Sequence, residues 1–213
     1  MLPLAITALA AVSALIHVRA EYRGPRRLVY AFKPLTTTLL LALALALRPG
    51  ASGRYQAAVA VGLALSLAGD VFLMLPRDRF VAGLASFLAA HLAYVVAFST
   101  EIGLGAAPLL LVPAALPGAV VLALLWPTLG RLRAPVAIYV ATITVMAWQA
   151  AARAWTLRTG AAALALLGAA CFVASDAMLA LDRFRAPFRS ARALVMATYV
   201  TAQWLIAMSV AAP

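Results

Sequence analysis

The 213-residue chain is expected to fold as an all-α membrane bundle of about eight transmembrane helices, on three observations. Hydrophobic residues make up 66% of it and charged ones 11%, with a mean hydropathy of +1.03, more than the core of a soluble domain needs. Charged or Pro/Gly-bearing breaks divide it into apolar runs of about 17 to 22 residues, each long enough to cross a ~30 Å hydrocarbon layer at 1.5 Å per residue. The runs lack the alternation of barrel strands, which leaves helices as the structure that satisfies its own backbone in lipid.

The first run, 2 to 18, has no basic residue before it and no small-residue cleavage site, so it is expected to be a span and not a removable signal peptide. The second, 28 to 47, reads LVYAFKPLTTTLLLALALAL and holds Lys33, the single lysine of the chain. Asp70 lies in the third, 55 to 75, within SLAGDVFLML. The fourth, 80 to 99, presents His91 and Tyr94 one turn apart; the fifth, 108 to 126, has no charged residue. Tyr139 lies in the sixth, 135 to 152, and Asp176 in the seventh, 160 to 181, within FVASDAMLAL. The eighth, 193 to 211, carries Tyr199 and Gln203 one turn apart. Residues 1–213 thus make one integral membrane domain.

The two aspartate segments share a small residue before Asp and leucines three and five positions after it, 106 residues apart. That offset lays the first run on the fifth and Lys33 on Tyr139. Halves 1–106 and 107–213 are therefore expected to form a tandem four-plus-four repeat of parallel topology.

A net charge of +11 and a pI near 11.2 invite a nucleic-acid partner, but the arginines fall in short clusters between apolar runs. Topology and anionic headgroups account for them, and no nucleic-acid partner is expected. Twelve arginines fall in the loops at 19–27, 76–79, 127–134 and 182–192, against four in the alternate set. By the positive-inside rule the richer set is cytoplasmic and both termini lie outside, in what is expected to be a bacterial inner (cell) membrane. Cys171 is the single cysteine and is expected in the core, without disulfide or CxxC chemistry.

Of six acidic residues, Glu21, Asp78, Glu101 and Asp182 are expected as solvated loop charges. Asp70, Asp176 and Lys33 instead each fall five residues from the cytoplasmic end of a run, about 8 Å inside the boundary. A lysine in a span is costly unless something receives it, and intramembrane ionisable groups mark functional sites. Two carboxylates competing for one cation give an acid/base pair in which Lys33 meets an aspartate or an anionic substrate group. His91, Tyr94, Tyr139, Tyr199 and Gln203 are expected to line the same cavity. Ser66, one turn before Asp70, and Ser175, next to Asp176, suit hydrogen bonding to carboxylate or backbone, without the GxSxG context of a hydrolase nucleophile. His17 is expected at the interface. Zinc would need ligands, but no HExxH or similar spacing exists, so neither metal nor cofactor is expected.

The stretches EYRGPRRLVYAFKPLTTTLLL, SLAGDVFLMLPRDRF, SFLAAHLAYVVAF, ASDAMLALDRF and ATYVTAQWLIAMS resemble, in order and spacing, the YhhN family of membrane proteins. That resemblance covers most of the chain and implies lysoplasmalogenase activity, hydrolysis of the vinyl ether bond of a 1-alkenyl lysophospholipid to a fatty aldehyde and a glycerophospho-base. It implies a lysophospholipid substrate held among membrane lipids, and Lys33, Asp70, His91 and Asp176 stand at the family's motif positions. Rival readings of the same bundle are a lipid or proton transporter and a lysolipid-binding protein without turnover.

Overall fold

The computed structural model describes residues 1–50 and 52–211. Among them eight helical segments are long and apolar enough to cross a membrane, and the helices within them are α1 (Leu2–Arg23), α2 (Arg26–Ala46), α3 (Gly53–Met74), α4 (Phe80–Ser99), α5 (Leu111–Leu125, after a 3-10 turn at Pro108–Leu110), α6 (Arg133–Leu157, after a turn at Gly130–Leu132), α7 (Gly160–Phe184) and α8 (Ala191–Met208).

Three helices outrun the apolar runs that predict them, because backbone hydrogen bonding does not stop at the hydrocarbon border. α1 continues to Arg23 and stops at Gly24, whose φ of 61° is left-handed; α6 continues to Leu157 and α7 to Phe184. These extensions correct the acidic residues. Glu21 sits in the last turn of α1 and Asp182 in the last turn of α7 instead of in loops, and both line a cavity described below. Arg153, counted among loop arginines, lies inside α6 and is 2% exposed, with its guanidinium 2.5 Å from Glu101 and 4.4 Å from the Tyr55 ring centroid. Glu101 is therefore an ion-pair partner. Asp78 is an exposed loop carboxylate, 2.5 Å from Arg183.

Sequential helices pack as neighbours, most extensively α3 on α4, α7 on α8 and α1 on α2. The halves join chiefly where α4 meets α6 and where α8 packs on α2, α1 and α3, while α5 packs at the periphery on α6 and α7. With no hydrophobic drive between helices in lipid, close van der Waals approach and hydrogen bonds hold them. Gly69 shows the first: a Cβ there would come 2.6 Å from the Phe87 ring, so its absence lets α4 lay that ring on α3. Ser13 and Thr36 show the second, their hydroxyls 2.8 Å apart between α1 and α2. The ring of Phe172 is the hub of an aromatic cluster, 4.7 Å from His91 and 5.6 Å from Tyr199 by centroids. Cys171 packs against this core.

Candidate active site

Helix period decides which groups can meet. On α2, Lys33 and Thr37 are one turn apart and share a face toward α3 and α8. Lys33 Nζ lies 3.7 Å from Asp70 Oδ1, and Thr37 Oγ1 donates to Asp70 Oδ2 at 2.6 Å. From α8, Tyr199 donates to the same oxygen at 2.7 Å. Asp70 is 2% exposed, so its charge is met by one ammonium and two hydroxyls with water almost excluded.

Asp176 stands in a different nest. Tyr139, on α6, donates to its Oδ2 at 2.5 Å, and His91 Nε2, on α4, lies 3.1 Å from that oxygen and 3.0 Å from the Tyr139 hydroxyl. His91 is fully buried and its Nδ1 has no partner, so its exchange with the carboxylate runs through Nε2 alone. No lysine or arginine pairs with Asp176, whose side chain is 16% exposed.

Both carboxylates line one cavity of about 140 Å³ at the cytoplasmic-expected end of the bundle. Lys33, Tyr199, Ser175 and Phe87 share its wall, as do four residues that reading by depth missed or placed elsewhere: His17, Glu21, Asp182 and Arg192. His17 is a correction. Expected at the interface, it is 3% exposed, with Nε2 3.3 Å from Glu21 Oε1. Arg192 approaches the same carboxylate at 3.4 Å and stays largely exposed at the mouth. The equal-depth argument also needs adjusting, since Asp70 is four residues from the end of α3 and Asp176 eight from the end of α7; the longer α7 places Asp176 about 6 Å farther from its own helix end.

The remaining expected site residues divide. Ser175 lines the cavity while its hydroxyl donates to the Val195 carbonyl at 3.1 Å, bonding α7 to α8 and not to the neighbouring carboxylate. Tyr94 and Gln203 do meet, the phenol donating to Gln203 Oε1 at 2.6 Å, but with Ser66 they are fully buried in the interior and are not among the cavity's lining residues. Thr37 was legible from its one-turn spacing to Lys33; Glu21 and Arg192 carried no such signal. Among the described residues no three His, Cys, Asp or Glu side chains are grouped to hold a metal ion.

The pattern of the YhhN family matches residues 28–210. Across 200 residues the chain is 36% identical to the membrane protein YhhN of Escherichia coli, covering 93% of this chain and 94% of that one. It is 39% identical over 164 residues to human lysoplasmalogenase TMEM86A, covering 70% of this chain and 63% of the relative, and 34% identical over 175 residues to a lysoplasmalogenase of Mycobacterium bovis, covering 78% and 63%. No solved structure matches.

Proposed function

Because the chain belongs to the YhhN family, we propose that it is a membrane-embedded hydrolase that cleaves the vinyl ether bond of 1-alkenyl lysophospholipids. The observation that carries the reading is a pair of carboxylates on one cavity inside a helix bundle, one compensated by a lysine and the other by a phenol and an imidazole.

Vinyl ether hydrolysis needs a proton placed on the alkenyl carbon remote from oxygen, which leaves an oxocarbenium-like cation. Water then adds to the carbon bearing oxygen and loses a proton, and the hemiacetal collapses to aldehyde and alcohol. The balance is R–CH=CH–O–R′ plus water giving R–CH2–CHO and HO–R′. One carboxyl supplies a proton and the other faces developing positive charge or takes the proton of water, the logic of paired carboxyls in glycoside hydrolysis. We assign proton donation to Asp176. It faces the cavity with a phenol and an imidazole as hydrogen-bonding partners, and its 16% exposure lets cavity water restore its proton. Asp70, held by Lys33, is the fixed negative charge that faces the cation and receives the proton of water. Lys33 then acts on Asp70 before it acts on phosphate, and the phosphate falls to Arg192 at the mouth. With the arginine-rich loops cytoplasmic, both termini lie outside and the site draws substrate from the inner leaflet.

The test is incubation of pure protein in detergent with a defined 1-alkenyl lysolipid. Equal amounts of aldehyde and glycerophospho-base are expected, with the saturated 1-alkyl analogue left intact. Absence of product, together with tracer movement in sealed vesicles, would favour a transporter.

A further inference from the structure

A second, narrow groove opens beside the polar cavity. Its walls come from α4, α5, α6 and α7 with Leu73 of α3, and every lining side chain is apolar except those of Asp176 and Tyr139. Leu73, Phe87, Asp176 and Leu179 line both spaces, so the groove and the charged cavity adjoin and share the Asp176 side chain in their walls. At the inner end Phe80 and Phe184 stand edge to face at 5.4 Å in its wall. Toward the membrane middle it runs past Val121 and Ile143 to Pro117, which is exposed on the outer side of α5.

We infer that this groove receives the hydrocarbon chain of the lysolipid, which crosses from the polar cavity at Asp176 and leaves to the bilayer over α5 near Pro117. The assignment rests on the lysolipid reading above and extends it from the reacting bond to the chain. Three features commit it to a single chain attached to a charged head. The charges are confined to one side of Asp176: Lys33, Asp70, Glu21 and Arg192 line the polar cavity, and no charged group but Asp176 lines the groove. An amphiphile laid across the two puts its head-to-chain junction at Asp176, which is where a vinyl ether bond lies. An unfilled apolar groove in lipid forfeits dispersion contacts, and a flexible chain restores them where a rigid side chain does not.

With the exit over α5 near Pro117, the methylenes nearest the ether oxygen touch protein and the distal ones lie in lipid. Recognition of the chain is then local to its first few carbons. A substitution that fills the groove acts on all chains that begin alike, whatever their total length.

The probe is a saturated 1-alkyl lysolipid with a photoreactive diazirine about four carbons from the ether oxygen. It is not cleaved by vinyl ether chemistry, so labelling is read apart from turnover. In the unmodified protein, label is expected in peptides of α5 or α7; label confined to α1, α2 and α8 overturns the inference. Val121→Trp should lower that labelling at least tenfold, whereas Leu45→Trp on the lipid-facing side of α2 should not. Turnover of the alkenyl substrate should fall at least tenfold in Val121→Trp, for long and medium chains alike. Equal labelling and turnover in Val121→Trp and the parent overturn it. Label in α5 without hydrolysis in the parent supports the chain site and defeats the vinyl ether reading instead.

Discussion

Asp70 and Asp176 occupy matching places in the chain and different chemistry in space. Each follows an anchoring residue by 37 positions, Lys33 in one case and Tyr139 in the other, and each touches its anchor. Each also takes a partner from the last helix of the opposite half, Tyr199 of α8 for Asp70 and His91 of α4 for Asp176. A tandem repeat is our account of that correspondence. The partners are where they part. An ammonium and two hydroxyls hold Asp70, while a phenol and an imidazole hold Asp176 at the border of the apolar groove. Unlike surroundings push the proton affinities of two carboxyls apart, which lets them divide acid and base work.

The largest expected effect breaks the pair at its chemistry. Asp176→Asn and Asp70→Asn should each lower kcat about 10²- to 10⁴-fold, read as aldehyde release, because each removes one proton-transfer group. Near-normal turnover in either folded variant would end the acid/base assignment.

Stability should separate the two. Asp70→Asn strands a buried lysine, and breaking a buried ion pair costs about 3–5 kcal/mol, so its thermal midpoint in detergent should drop clearly. Asp176→Asn keeps a neutral acceptor for Tyr139 and should unfold close to the parent. The double variant Lys33→Met/Asp70→Asn should recover part of the lost stability without recovering turnover, the non-additivity of a contacting pair. A double variant no more stable than Asp70→Asn would mean that Lys33 serves something other than Asp70.

Smaller effects test the hydroxyls. Tyr139→Phe removes a hydrogen bond to Asp176 and should cost about ten- to a hundredfold in kcat, since bonds to charged groups are worth about 1.5–3 kcal/mol. Tyr199→Phe should cost less than about tenfold, because Thr37 still donates to the same oxygen. Reversal of that order would exchange the roles given to the two nests. Arg192→Gln, on an exposed side chain, should raise KM about two- to fivefold with kcat nearly constant if it meets the phosphate.

The smallest effect lies outside both nests. Arg183 and the Phe80 backbone N–H hold the Asp78 carboxyl below its ordinary value of 3.8. Its folded pKa is depressed, so the stabilisation is present above that ordinary value and is lost as pH falls through the folded value. Asp78→Asn should therefore lower the thermal midpoint slightly at pH 7 and progressively less as pH falls below 3.8, with salt shrinking the difference, as befits an exposed pair.

The sequence alone determined the fold class and eight spans, and it singled out Lys33, Asp70, His91 and Asp176 as candidates, because hydropathy reports what lipid must accept and an ionisable group in an apolar run stands out against it. Helical spacing also reported faces, which is why Tyr94 could be set on one face with His91 and Gln203 on one face with Tyr199. Period and depth do not say how each helix is rotated toward its neighbours. Only the tertiary structure decided that Lys33 meets Asp70 and Tyr139 meets Asp176, that Ser175 serves α8 instead of the neighbouring carboxylate, and that Tyr94 lies off the cavity wall. The extra turns of α1 and α7 carried Glu21 and Asp182 to the cavity, and α5 packing on α6 and α7 supplies one wall of the apolar groove. Those contacts join residues up to 171 positions apart, and they are fixed by how small and large side chains interlock between helices, which no single stretch of the chain contains.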